Sequence, residues 1–396
     1  MPAEAVGEAD AIEDERFQTA RVLTISAGHA VHDTYTAFLS PLLPAFIERL
    51  VLSKTEAGLL SAFMQGPSLL QPFIGHLADR VSLRYLVILA PGVTATAMSL
   101  LGVAPAYLAL ALLLVVAGLS SATLHAVAPV MAGRLSGKHL GRGMGFWMVG
   151  GELGRTLGPI VIAVYFALKG DSLASTPVLM GGGWLASALL YLWLKDVPGR
   201  LPNTKEGLPW RQALRIMGPF LIPLVGIIVA RSFMSAALTT YLPIFLTEEG
   251  AELSFASISL SVLEAAGVVG ALFGGSVSDR LGRRMVLTIS LSATPVLMIA
   301  FLAVESWGRF PFLLLLGFTA LSVTPVMMAL VQENFSENRA LANGMYMALS
   351  FIIRSLVVVV VGAMGDLWGM RSAFAASAII PLLGLPFVRM LPRRQR

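Results

Sequence analysis

The chain has no cysteine, so disulfides, thiol nucleophiles and thiolate metal sites are excluded. Charge is scarce too. Asp, Glu, Lys and Arg make up 13% of its 396 residues, against roughly 25% in soluble domains. From Tyr85 to Gly133 there is no Asp, Glu, Lys or Arg at all. A water-facing surface cannot be built from so few charges, which leaves the bilayer as the solvent. The phosphate loop G-x-x-x-x-G-K-[ST] is missing, so ATP is not expected as an energy source. No cleavable leader is expected either: Glu4, Glu8, Asp10, Glu13, Asp14 and Glu15 crowd the start, and residues 1–20 read as a disordered tail.

What is present is apolar sequence, at 56% of residues. Only helices and closed barrels satisfy their backbone in hydrocarbon. Barrel strands alternate over roughly 10 residues, and these runs are longer and do not alternate. The expected fold is an all-α membrane protein of twelve transmembrane helices in two pseudo-symmetric six-helix bundles. The spans are predicted at 22–48, 56–78, 83–103, 106–133, 142–168, 176–195, 216–246, 256–278, 284–304, 310–333, 340–363 and 371–391. Pro198, Gly199, Pro202, Asn203 and Pro209 mark a linker. The division is therefore a bundle at 21–196, a linker at 197–214 and a second bundle at 215–396.

Short loops on the side of both termini hold twenty Lys and Arg, against five on the other side. The excess puts both termini in the cytoplasm of a bacterial inner membrane. It also accounts for the net charge of +5 without nucleic acid as a partner. The expected partners are a small-molecule substrate, protons and lipid, with no cofactor and no metal, and the chain is expected to be monomeric.

The two halves repeat. Asp79-Arg80 and Asp279-Arg280 stand 200 residues apart, and Leu43-Pro44 and Leu242-Pro243 stand 199 apart. Arg155-Thr156-Leu157 and Arg354-Ser355-Leu356 also stand 199 apart. Near-constant spacing points to a duplication with parallel repeats, and to a site between the halves near mid-membrane. After span 2 the chain reads Gly75-His76-Leu77-Ala78-Asp79-Arg80-Val81-Ser82-Leu83-Arg84. After span 8 it reads Gly275-Ser276-Val277-Ser278-Asp279-Arg280-Leu281-Gly282-Arg283-Arg284. Both resemble the G-x-x-x-D-R-x-G-[RK]-[RK] loops of the major facilitator superfamily. The first copy carries Ser82 and Leu83 where Gly and a basic residue are usual. The resemblance implies a gating latch at Gly75, Asp79, Arg80, Gly275, Asp279, Arg280 and Arg283; a plain positive-inside turn is the alternative.

The first half resembles the fosmidomycin-resistance type of drug exporter within that superfamily. The likeness lies in Gly28-His29-x-x-His32-Asp33-Thr34-Tyr35, Pro41-Leu42-Leu43-Pro44, Leu70-Gln71-Pro72, Leu124-His125 and Val149-Gly150-Gly151-Glu152-Leu153-Gly154. Gly150, Gly154, Gly158 and Pro159 also resemble the glycine-proline motif of span 5 in drug–proton exporters. Small residues four apart let helices approach closely, which ordinary packing uses as well.

Ionisable side chains at membrane depth cost roughly 2.5–3.5 kcal/mol each, so they face cavities or partners. His29, His32 and Asp33 share a helix face by i, i+3, i+4 spacing. His125, Glu152, Arg155, Arg231, Glu264 and Arg354 are the others. In the architecture the resemblance implies, all lie on cavity-lining helices or beside them. Asp33 is the first candidate for proton coupling, with Glu264, Glu152, His29 and His32 behind it. A carboxylate balanced between desolvation and nearby cations exchanges protons near neutral pH. The alternatives stay open: Asp33 in a permanent ion pair, Glu152 neutralising Arg155, the histidines as neutral hydrogen-bonding groups. His29, His32 and Asp33 also resemble a metal-ligand group, but a full ligand set is not evident. Arg231, Arg155 and Arg354 are candidates to bind an anionic substrate, as Arg suits bidentate contacts; mutual pairing with the three acids is the alternative. His125 and Tyr35 complete the substrate candidates. The leading function is proton-coupled efflux of small amphiphilic or anionic compounds by alternating access, without enzymatic activity. The alternative is proton-coupled uptake of an organic anion.

Overall fold

The computed structural model of the chain describes residues 17–78, 81–137, 140–170, 172–197, 210–335 and 339–391. Among them there is no strand. In chain order the helices are α1 Thr19–Thr36, α2 Leu39–Leu50, α3 Lys54–Gln65, α4 Gln71–Ala78, α5 Arg84–Leu100, α6 Tyr107–Leu135, α7 Leu140–Lys169 and α8 Met180–Leu194. They continue with α9 Trp210–Ala236, α10 Leu242–Glu248, α11 Leu253–Leu281, α12 Arg283–Ala303 and α13 Phe310–Leu321. Last come α14 Val323–Asn334, α15 Arg339–Trp368, α16 Met370–Ile379 and α17 Leu385–Met390. The tail up to residue 16 and the loop at 198–209 lie outside the described residues. The helix α9 starts inside the stretch expected as linker.

Ten segments are long and apolar enough to cross a membrane, among the described residues. The other two expected spans are each split. Residues 22–48 hold α1 and α2, separated at Ala37 and Phe38. Residues 56–78 hold α3 and α4, joined by a 3₁₀ segment at Gly66–Leu70. Large apolar side chains on the outer faces stand mostly clear of protein: Leu108 is 68% exposed, Leu185 63% and Val296 68%. Water would penalise that surface, while hydrocarbon suits it.

Between α9 and α10 the chain makes one π-helical segment, Ala237–Tyr241. Pro243 follows within a turn. It has no N–H to give the carbonyl of Thr239, and a wider turn absorbs the misfit. All five residues of the segment are buried.

The helices α1–α8 and α9–α17 meet chiefly where α3 packs on α15 and α7 on α11. Gly58 and Gly362 permit the first contact. A Cβ at either would collide with the Tyr241 hydroxyl and with backbone, Val358 O or Lys54 O. In the space they leave, that hydroxyl reaches Val358 O at 2.7 Å. The apolar core divides unevenly along the molecule. At the Lys54 end one cluster holds Phe38, Leu42 and Phe46 together with Tyr241, Phe245 and Phe374. At the other end the clusters are separate, one around Val87, Met131 and Trp147, the other around Ile227, Leu287 and Tyr346. The two sets are thus sealed together at one end by buried aromatic and aliphatic groups, which hold by close packing.

Candidate functional site

Gly150, Gly154 and Gly158 run down one side of α7. A Cβ on each would strike the carbonyl of Ser26, Ala30 or Thr34 in turn. The steps of four match on both helices, so α7 lies backbone to backbone against α1. Pro159 closes the stripe inside the same helix. This close approach brings Trp147 over His29, with ring centroids 3.7 Å apart and planes 13° from parallel. A Cβ at Gly151 would intrude on the His29 ring and Asp33.

His29, His32 and Asp33 are buried together on α1, at 4%, 0% and 6% exposure. His125 arrives from α6. The Nε2 atoms of His29 and His125 lie 3.1 Å apart. Asp33 Oδ2 is 3.3 Å from His29 Nε2, and its Oδ1 is 3.8 Å from His125 Nε2. His32 turns the other way round the carboxylate, with Nδ1 2.9 Å from Oδ1. The outer nitrogens of the pair are anchored on backbone: His29 Nδ1 faces Trp147 O and His125 Nδ1 faces Ser121 O, both at 2.9 Å. His29, Asp33 and His125 hold their polar atoms within 4.8 Å of one another.

Below the cluster stands a second charged group. Arg155 bonds Glu152 three residues earlier on α7, and its Nε lies 3.7 Å from Glu264 on α11. Glu264 is buried. The chain of charge therefore crosses from one helical set to the other. On the far side Arg354 gives an Nη2 hydrogen to Thr239 of the π segment at 2.9 Å, and its Nε is buried without a partner. Arg231 gives one to Thr324 at 2.9 Å. Neither arginine forms an ion pair among the described residues. The expected three-against-three pairing is thus drawn only for Arg155, while Asp33 is faced by histidines. Tyr35 is buried and gives its hydroxyl hydrogen to Leu179 O at 2.5 Å.

The loop signature is described only in part. Asp79 and Arg80 lie outside the described residues. Gly75 falls in α4, and Gly275, Asp279 and Arg280 fall in the last turns of α11. Gly282 adopts φ +92° between α11 and α12, the left-handed region a glycine enters freely. Arg283 then bonds Ser278, and Glu333 at the end of α14 at 2.8 Å.

The model of the Major Facilitator Superfamily matches residues 25–320 and 253–396. The chain belongs to that superfamily. Its relatives include the fosmidomycin resistance protein of Escherichia coli (strain K12), 23% identical over 395 residues, which span 97% of this chain and 96% of that protein. Two solved structures share the fold. One is a bacterial homologue of the human lysosomal transporter Spinster, in an inward-facing and unoccupied conformation, with TM-score 0.77, 15% identity and coverage of 95% of this chain and 98% of that one. The other is a D-xylose–proton symporter, with TM-score 0.70, 17% identity and coverage of 96% and 99%. The chain is a multi-span membrane protein of a transporter superfamily, and the all-α major facilitator fold expected from sequence is the one found.

Several groups at the sealed end of this transporter escaped sequence reasoning. Asp366, on the last turns of α15, accepts hydrogen bonds from the backbone N–H of Lys54 at 2.7 Å and of Thr55 at 2.9 Å. Lys54 Nζ pairs with Glu248 at 2.9 Å. Only the capping box of Ser53 and Glu56 that starts α3 could be read from sequence, as S-x-x-E.

Proposed function

We propose that this superfamily member is a proton-coupled exporter of small anionic or amphiphilic compounds. The observation that carries the reading is a single file of polar groups across the seam. The His29–Asp33–His125 cluster offers a proton site in one helical set, and Arg231 and Arg354 offer cations that form no ion pair among the described residues in the other. Arg155 and Glu264 join them. An unpaired arginine at membrane depth is costly, and an anionic cargo would satisfy it by charge-assisted bonds. The charge on Arg155 then feels both the proton site and the cargo, which is the coupling an antiporter requires. The fosmidomycin-resistance relative favours export of anionic drugs, phosphonates among them.

In this reading the domains are the bundles at 21–196 and 215–396, and the chain works as a monomer in a bacterial inner membrane. Both termini face the cytoplasm. The sealed Lys54 end is then the outer gate, and the molecule stands open to the inside.

Proteoliposomes test the proposal. With a pH gradient imposed and fosmidomycin or a simple phosphonate added, the parent protein should drive proton-exchanging accumulation, and Asp33→Asn should abolish it. Arg354→Gln should weaken cargo binding while leaving proton-driven movement of an uncharged amphiphile. Cargo moving with the protons instead would favour uptake by symport, as in the D-xylose–proton symporter. Full accumulation by Asp33→Asn would remove Asp33 from coupling.

A further inference from the structure

The hydrogen bonds around the cluster decide where its proton sits. His29 Nδ1 and His125 Nδ1 each face a backbone carbonyl at 2.9 Å. A carbonyl only accepts, so both nitrogens carry hydrogen. In a neutral imidazole that leaves Nε2 as a bare acceptor. Yet the two Nε2 atoms lie 3.1 Å apart, with Asp33 Oδ2 at 3.3 Å from that of His29. Three acceptors cannot converge so closely with nothing between them. A hydrogen on Asp33 would relieve its own contact and leave the two nitrogens lone pair to lone pair. A hydrogen on either Nε2 makes an N–H···N bond between the rings and sets an imidazolium beside an ionised carboxylate.

We infer that His29 and His125 together carry the transported proton, as one Nε2–H–Nε2 unit, and that Asp33 is its standing counter-charge. The role in transport rests on the proton-coupled reading above; the site of protonation does not. Other charges facing the pair are few. On α1, His32 already gives a hydrogen to Asp33. On α7, Arg155 is engaged by Glu152 and Glu264. The helix α6 brings no acid or base besides His125 before Arg134. Over the facing stretches, α5 brings none from Val87 to Leu100 and α8 none from Met180 to Leu190. When the proton leaves, two bare nitrogens must separate. Because the glycine stripe holds α1 to α7, that separation moves His125 on α6. Proton release and helix displacement become one event.

Trp147, stacked on His29 and 3% exposed, is a built-in reporter. An imidazolium against an excited indole quenches its emission by accepting an electron. A variant with Trp147 as its only tryptophan, the other five of six replaced by Phe, is titrated in nanodiscs. Acidification should quench it with a one-proton profile. His125→Gln should move the midpoint by about one pH unit or more, a tenfold change in proton affinity. Asp33→Asn should keep a one-proton quench. Loss of the quench in Asp33→Asn with an unmoved midpoint in His125→Gln would place the proton on the carboxyl and overturn the inference. So would a transition metal retained one-to-one by the purified parent. The unmutated protein offers a second measurement: ¹⁵N-histidine spectra should show two Nε2 atoms sharing one hydrogen, and two independent neutral rings from about pH 5 to 8 would overturn it. A protein that titrates as stated yet moves no cargo under a gradient sinks the transport reading alone.

Discussion

Arg155 and Glu264 stand 3.7 Å apart on helices from opposite halves, and Arg155 also holds Glu152 on its own helix. The Arg155 side chain is 45% exposed and the Glu264 side chain 10%. An ion pair so open on one side contributes about 1 kcal/mol or less to stability. Glu264→Gln is therefore expected to unfold within about 1 kcal/mol of the parent while losing most gradient-driven transport. Thermal unfolding in detergent and flux in proteoliposomes check the two halves of that expectation. Unchanged flux would make the bridge a packing detail.

The sealed end depends on Asp366 capping the first turn of α3 across the seam. Loss of a helix cap costs roughly 1 kcal/mol. Asp366→Ala should thus shift the population toward the oppositely open state by about fivefold. Spin labels on cysteines introduced at Val51 and Leu367, 89% and 75% exposed, would read the distance in a chain that has no other thiol. An unaltered distance distribution would show that the cap does not hold the end shut.

Outside the spanning segments Glu249 binds Arg309 at 3.0 Å and Arg371 at 3.1 Å. Partial burial pushes its carboxyl up, but hydrogen bonds and charge from the two arginines outweigh this and hold it below the usual range. The sign follows. A lowered folded value contributes stability above the unfolded pKa of about 4.3, lost as pH falls through the folded value. Glu249→Gln should melt lower than the parent at neutral pH, and the gap should close on acidification below that range. A gap that persisted in acid would assign it to packing.

Two glycines on α7 make a matched control. A Cβ at Gly154 would meet Ala30 O and Asp33, whereas one at Gly145 meets nothing within 4 Å. Gly154→Ala is expected to destabilise by about 1–3 kcal/mol through overpacking, and Gly145→Ala to be neutral or slightly stabilising. Melting temperatures of the two variants compare them directly. Equal behaviour would show that α1 and α7 have slack to separate.

Much of this was legible because lipid imposes simple rules. Long apolar runs could only be helices, and the placing of His29, His32 and Asp33 on one face followed from spacing alone. The glycine stripe was visible as a period of four. The meeting of His125 with His29 was not, since it depends on how α6 crosses α1, and a run of apolar residues carries no record of crossing. The loss of carboxylate partners for Arg231 and Arg354 was equally hidden, because Thr239 and Thr324 look like any other polar spacer in a span. Asp366 lies between the spans expected at 340–363 and 371–391 and drew no reading from sequence. Its role needs the first turn of a helix from the other half, more than 300 positions away.

That cap grips main-chain amides at Lys54 and Thr55, and every residue but proline supplies such an amide. Drift at position 54 can trade away Lys54's link to Glu248 and still leave the amide contact intact. Thr55 adds its hydroxyl to the same carboxylate at 2.5 Å, so relatives that keep the lock should show the acid on α15 with Ser or Thr at position 55, and freedom at position 54.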